Sequence, residues 1–235
     1  MNGIKALTFD VFGTVVDWRS SVAEELRTFF EPRRLSRDWF AFIDDWRELY
    51  QPAMEDVRSQ RRSFVILDVL HRENLIKLLE KYEIHGLSED DILELNTCWH
   101  RLKPWPDSVD GLLELRKSFT LATLSNGNMA LMTNLARHSA LPWHMILGAE
   151  FAQAYKPDPR TYLCTASALG LEPCQCMMVA AHNKDLRAAR ELGFKTAYVN
   201  RPTEYGPGQT TDLGPEENWD IVCESMVELA DFLKQ

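Results

Sequence analysis

Apolar residues in this chain follow two different patterns. Five short runs are almost continuously apolar: Ile4 to Phe9, Phe119 to Leu124, Met145 to Leu147, Cys176 to Ala180 and Thr196 to Val199. Each is followed by a turn or a helical pattern, which predicts buried strands. Ile221 to Cys223 is a weaker sixth. Helical spacing fills the intervals. Met129, Met132, Leu135 and Ala136 recur at three and four. So do Tyr162, Ala166 and Leu169, with Pro159 in a first turn and Gly170 as a stop signal. Leu186, Ala189 and Leu192 continue the theme up to Gly193. Strands alternating with helices predict an α/β fold, a Rossmann-like parallel sheet with helices on both faces. Ligands of such sheets bind at the carboxyl ends of the strands.

Residues 18–100 obey the second pattern, helical throughout and without a strand. Trp39, Phe42, Ile43, Trp46, Leu49, Tyr50, Ala53 and Val57 predict one strongly amphipathic helix, and Val65, Leu67, Leu70, Leu75, Leu78 and Leu79 predict more. The expected organisation is a catalytic core of residues 1–17 and 101–235 with a helical cap, 18–100, inserted after the first strand. Asn200 to Asn218, with Gly206-Pro207-Gly208, reads as a long loop at the C-terminal edge.

Composition narrows the partners. The 235 residues carry 26 Lys and Arg against 35 Asp and Glu, a formal charge of −9. Nucleic acid needs a basic footprint that this chain lacks, whereas a small anionic substrate needs only one or two placed cations. No run approaches the ~20 apolar residues of a membrane span, and no leader is read at the first residues. Cys98, Cys164, Cys174, Cys176 and Cys223 match neither a disulfide scaffold nor a paired metal motif. Reduced thiols, a cytoplasmic location and no bound metal are expected.

Leu7-Thr8-Phe9-Asp10 climbs from apolar residues to one carboxylate and breaks at Gly13. A carboxylate is costly to bury without a role or partner, so Asp10 is a candidate nucleophile. Three further strand ends or helix starts carry polar residues: Ser125-Asn126-Gly127, Lys156-Pro157-Asp158-Pro159 and His182-Asn183-Lys184-Asp185. Each has a plainer reading alone. Thr14 and Ser125 suit turns, Asp158 suits a helix cap, and Asp185 suits a first helical turn. A parallel sheet would bring them all to one edge.

In this order, these segments resemble the motifs of the haloacid dehalogenase superfamily: Asp10-Val11-Phe12-Gly13-Thr14, Ser125-Asn126-Gly127, Lys156 and the segment around Asp185. Within it, the chain is similar to the type II, L-2-haloacid, dehalogenase branch. Phe12 stands where phosphatases keep an acid–base aspartate, and Asp185 stands alone where magnesium-dependent members usually present two acids. Trp46-Arg47-Glu48-Leu49-Tyr50 resembles the cap helix carrying a halide-binding arginine, and Tyr162 matches an active-site tyrosine.

The resemblance implies metal-independent hydrolysis of short 2-haloalkanoic acids through an aspartyl ester, with no cofactor. Asp10 would attack, Thr14 would belong to its motif, and Arg47 and Asn126 would take up the halide. Ser125 would hold the substrate carboxylate, Lys156 would keep Asp10 ionised, and Asp185 would position the hydrolytic water. Val11, Phe12, Tyr162, His182 and Asn183 would line the pocket. The partners expected are a haloacid and its halide, and the resemblance also allows a homodimer.

The fourth motif departs from the branch, which has serines, an asparagine and a tryptophan where this chain has Ala180, Ala181, His182 and Lys184. His182 is either a replacement for the asparagine amide, tuning the leaving group, or a capping residue at the helix start. Two rival functions stand beside the dehalogenase: a phosphatase of the same superfamily and a catalytically silent binding protein on the same fold.

Overall fold

The structure is a computed structural model and describes residues 3–234. Six strands form one parallel sheet: β1 (Ala6–Phe9), β4 (Thr120–Ser125), β5 (Met145–Gly148), β6 (Cys176–Ala180), β7 (Lys195–Val199) and β8 (Ile221–Cys223), in the order β5-β4-β1-β6-β7-β8. Each of the six apolar runs is one of these strands. β1 is central, and the chain winds outward from it in both directions. That reversal opens a crevice beside the carboxyl end of β1.

Alternation along β6 shows how the sheet is buried. Met177 and Val179 join the larger core with Leu7, Phe9 and Leu121. Cys176, Met178 and Ala180 face the other way, against Tyr162, Leu186 and Tyr198. Helices Pro159–Ala168 and Asn183–Glu191 cover this second face, while Ser108–Leu115 and Met226–Leu233 cover the first. The five cysteines form no disulfide.

Three residues after Gly13 the chain enters a short strand, β2 (Val16–Asp17), paired antiparallel with β3 (Lys103–Pro104). This ribbon was not anticipated, since two residues are too few to carry a period. Between its strands lie helices Trp18–Phe30, Trp39–Glu48, Tyr50–Arg58, Leu67–Lys81 and Glu89–Asn96, and a 3₁₀ turn, Thr97–Arg101.

The single amphipathic helix expected from Trp39 to Val57 is two helices meeting at Leu49. Pro52 accounts for the break: it has no N–H for the Glu48 carbonyl, and its ring crowds that position. The apolar stripe survives the break, because Trp39, Phe42, Ile43, Trp46, Tyr50, Met54 and Val57 are all buried.

Cross-links fasten the helical insert over the sheet edge. Asp68 and Asn128 exchange bonds, backbone N–H to Oδ1 at 3.2 Å and Nδ2 to Oδ2 at 2.8 Å. The Tyr155 hydroxyl donates to the Val65 carbonyl (2.8 Å), and Arg58 Nη1 donates to the Lys156 carbonyl (3.0 Å). Among the described residues no helix is long and apolar enough to cross a membrane.

Candidate active site

Asp10 directly follows β1, and its backbone N–H still donates to the Val179 carbonyl at 3.0 Å. The chain then turns. The Val11 carbonyl accepts from the N–H groups of Val15 (2.9 Å) and Val16 (3.2 Å), and Gly13 takes φ +83°. Glycine is required there twice over. The positive φ disfavours other residues, and a Cβ would lie 2.1 Å from Glu204 Oε1. The turn therefore makes room for a residue nearly 200 positions away.

Both carboxylate oxygens of Asp10 are engaged. Oδ1 accepts from Lys156 Nζ at 2.9 Å. Oδ2 accepts from Thr14 Oγ1 at 2.7 Å and lies 3.0 Å from His182 Nδ1. Thr14 Oγ1 in turn accepts from the Ala181 N–H at 2.9 Å, tying the first motif to the fourth. Lys156 also bonds Asp185, whose other oxygen accepts from the Tyr162 hydroxyl at 2.5 Å. On the far side, His182 Nε2 lies 2.9 Å from Glu204 Oε2, and Trp18 Nε1 donates to Glu204 Oε1 at 2.9 Å. One buried relay thus runs Tyr162–Asp185–Lys156–Asp10–His182–Glu204–Trp18.

Alternating charge keeps Asp10, Lys156 and His182 ionised despite burial. Burial pushes the Asp10 carboxyl up, but Lys156 and His182 outweigh it and hold the group well below the usual carboxylate range. Burial opposes the Lys156 charge, and the flanking Asp10 and Asp185 raise its pKa regardless. For Asp185, burial prevails: although Lys156 favours its charge, the nearby Asp10 carboxylate does not, and its pKa is raised. Burial works against a charged His182, but Glu204 and Asp10 lift its pKa well above the ordinary histidine value. His182 is therefore an imidazolium donating to two carboxylates.

A divalent cation does not fit this donor set. The Lys156 ammonium already bridges Asp10 and Asp185. The Phe12 side chain adds no oxygen donor, and the segment from Ala180 to Asp185 adds a single carboxylate. Among the described residues no group of three or more His, Cys, Asp or Glu side chains is arranged to hold a metal.

The other expected residues divide into two groups. Asn126 Oδ1 accepts from the Lys156 N–H at 2.8 Å, which orients the amide and leaves its NH₂ end for a ligand. Ser125 is fully buried, its Oγ accepting from the Gly127 N–H at 3.1 Å. Phe12 packs edge-on against Trp99 at 5.9 Å. Arg47, in the last turn of Trp39–Glu48, lies over the rings of Tyr50 (4.1 Å) and Trp18 (5.1 Å). Its Nη1 is buried without a hydrogen-bond partner. Burial opposes the guanidinium charge, but Tyr205, Tyr50 and Glu204 offset it and raise its pKa.

Three expectations are corrected. Asn183 is not a pocket residue: its amide donates to Asp212 Oδ1 (2.8 Å) and the Gly214 carbonyl (3.0 Å) and accepts from the Glu216 N–H and Trp219 Nε1. It is spent on pinning the 200–220 loop. Tyr162 is fully buried behind Asp185 and positions that carboxylate. His182 is the N-cap residue by backbone, yet its side chain makes no cap bond. Both its nitrogens are taken by carboxylates, so it is not a halide donor either. Lys184, at the position of the family tryptophan, is exposed.

Glu204, Arg201 and Trp18 were missed. Arg201 forks onto Asp107 through two 2.8 Å bonds and donates to the Thr14 carbonyl at 3.0 Å, so the loop is stitched to the first motif. A loop without periodicity gives no hint of such contacts. The one signal was three charged or hydroxyl side chains, Arg201, Thr203 and Glu204, just beyond a strand's carboxyl end.

Comparison with known proteins agrees with this geometry. A family model for haloacid dehalogenase-like hydrolases matches residues 4–193. An (S)-2-haloacid dehalogenase 1 of Pseudomonas sp. (strain CBS-3) is 28% identical over 87% of this chain and 89% of its own length. The crystal structure of an L-2-haloacid dehalogenase is 44% identical and superposes with a TM-score of 0.96, covering 99% of both chains. That of a defluorinating L-2-haloacid dehalogenase is also 44% identical, with a TM-score of 0.97 over 99% of this chain and 96% of that one. By family model, sequence and three-dimensional likeness together, the chain belongs to the haloacid dehalogenase-like hydrolases, in the branch of the L-2-haloacid dehalogenases.

Proposed function

We propose that this protein hydrolyses short 2-haloalkanoic acids to 2-hydroxy acids and halide, without a metal, through an ester on Asp10. The observation that carries the reading is the Lys156 ammonium bonded to both Asp10 and Asp185. It keeps Asp10 an anionic nucleophile, and Asp185, the single acid of the fourth motif, leaves the site short of the oxygen donors a divalent cation wants.

In the first step an Asp10 oxygen attacks C2 of the substrate. The new O–C2 bond forms as the carbon–halogen bond breaks, and the bonding pair leaves on the halide. Arg47 and the Asn126 NH₂ stabilise that developing charge in a dry pocket. Phe12 and the neighbouring rings enclose the alkyl part.

Esterification removes the charge of Asp10, and with it one of the two anions that keep His182 protonated. Glu204 remains as the orienting carboxylate. His182 first releases its proton to solvent and then takes one from the water that attacks the Asp10 carbonyl carbon. As the ester opens, His182 returns that proton to the departing C2 oxygen, the 2-hydroxy acid leaves, and the Asp10 carboxyl, now carrying an oxygen from water, ionises by passing its own proton to His182. Lys156 and Asp185 hold the carbonyl end in place, with Tyr162 behind them.

A halide-release assay with chloroacetate, 2-chloropropionate and fluoroacetate tests the function. Fluoroacetate belongs in the panel because one similar structure is a defluorinating enzyme. A single turnover in heavy-oxygen water tests the ester. Label is expected in Asp10 first, and label going directly into the product would overturn the ester route. Phosphate release from phosphate esters with no halide release would favour the phosphatase instead.

A further inference from the structure

The cap contains buried polar atoms that the relay around Asp10 does not use. Arg47 Nη1, both ring nitrogens of His71 and Trp99 Nε1 all lack a hydrogen-bond partner. His71 and Trp99 are each 1% exposed. Such groups cost free energy unless something satisfies them.

They are also neighbours. The His71 ring stacks on Trp99 at 4.3 Å and stands 6.0 Å from Tyr50. The Arg47 guanidinium lies over the same Tyr50 and over Trp18, which in turn stacks on Trp99 at 6.3 Å. Trp99 meets the edge of Phe12, two residues from the nucleophile, at 5.9 Å. The other indoles of this cluster are satisfied: Trp46 Nε1 donates to the His71 carbonyl (3.1 Å) and Trp18 Nε1 to Glu204. The unpartnered nitrogens of Arg47, His71 and Trp99 therefore gather in one aromatic cluster, while Asn96 Oδ1, also buried without a partner, is an acceptor and cannot serve an anion.

Burial pushes the His71 pKa down to about 3, so the ring is neutral and carries one N–H. Arg47, Trp99 and His71 then offer three N–H donors but only one positive charge, within walls of aromatic carbon. A compact anion suits that combination.

We propose that Trp99 Nε1–H and the N–H of His71 join Arg47 as donors to the halide leaving from C2, making the cap side of the pocket a three-donor halide cradle. This rests on the dehalogenase reading of the same site. Fluoride, the most compact and strongly accepting halide, depends on the added donors most.

The test uses Trp99→Phe and His71→Phe, which keep aromatic packing and remove the N–H. Chloride and bromide affinities are measured by tryptophan fluorescence, with acetate as a carboxylate lacking halogen. Each variant is expected to bind halide about tenfold more weakly, bind acetate as before, and lower kcat more than KM. The loss should be greater for fluoroacetate than for chloroacetate. In the wild-type protein, chloride should shift the Trp99 indole N–H resonance. Unchanged halide affinity in both variants would overturn the proposal, as would a loss of acetate binding alone, which would assign these donors to the substrate carboxylate. The resonance keeps the test decisive should a variant fail to fold. Halide binding without turnover in the wild type would sink the dehalogenase reading and leave the cradle standing.

Discussion

The two sides of this cleft are built on opposite principles. On the sheet side every charged group is answered: Asp10 by Lys156, Thr14 and His182, and His182 by Glu204. On the cap side Arg47, His71 and Trp99 present buried polar atoms with no answer. The sheet side carries charge before substrate arrives, so its groups must be paired to be buried at all. The cap side carries one charge of its own, Arg47 resting on Tyr50 and Trp18, and meets a negative charge only as the carbon–halogen bond breaks. Donors left open in the resting protein cost stability and stabilise the transition state instead.

Removing the central charge is the harshest way to break this contrast. Asp10→Asn should abolish halide release while the purified protein keeps its far-ultraviolet spectrum. Measurable steady-state turnover would mean another group attacks.

Next in size is the split between the two chemical steps. Glu204→Gln or His182→Asn should slow ester hydrolysis by roughly 10²- to 10⁴-fold, the range for a general base, while a first burst of halide survives. Mass spectrometry should find the carboxymethyl ester of Asp10 accumulating. A variant that loses the burst as well would place His182 in the first step.

Arg47→Ala should lower turnover by roughly 10²- to 10³-fold, as for other donors to a developing charge, with the burst itself slowed. Arg47→Lys should recover little, because a point charge cannot replace a guanidinium resting on Tyr50 and Trp18.

His71 and His182 should tilt stability in opposite pH ranges. Between pH 6.5 and about 3 the unfolded chain binds a proton at His71 that the folded one refuses. Stability should therefore fall by about 1.4 kcal/mol per pH unit on acidification in that window, and His71→Phe should flatten the slope. The folded pKa of His182 is raised, so its contribution is complete below its ordinary value of 6.5 and fades as pH rises through the folded value. His182→Asn should flatten the alkaline limb. Chemical denaturation across pH reads both.

The smallest effect expected is none. EDTA should leave chloroacetate turnover unchanged, since Asp185 is the single acid of the fourth motif. Activity lost in EDTA and restored by magnesium would break the reading of the sheet side altogether.

Much of this was legible along the chain, for reasons that differ by region. The apolar runs that became β1 and β4 to β8 needed no partner to be recognised, since a strand buried on both faces is apolar wherever it lies. Asp10, Lys156 and Asp185 were legible because a parallel sheet sends successive strand ends to one edge. Pro52, which broke an apparently continuous helix, was visible but unread, because the apolar stripe runs through it. His71 went unread as well, although it stands four residues from both Leu67 and Leu75, on the buried stripe of Leu67–Lys81.

The sequence by itself determined the sheet, the nucleophile's strand and the family motifs, because local periodicity and residue type suffice for each. Only the tertiary structure decided who answers whom. Glu204 reaches His182 from an aperiodic loop because Gly13 leaves room for it and Arg201 and Asn183 anchor the chain on either side. It also separated His182 from the helix cap and the halide and gave it to two carboxylates. Hydrogen bonds between residues 22 and 172 positions apart are fixed by packing, and nothing in the local chain encodes them.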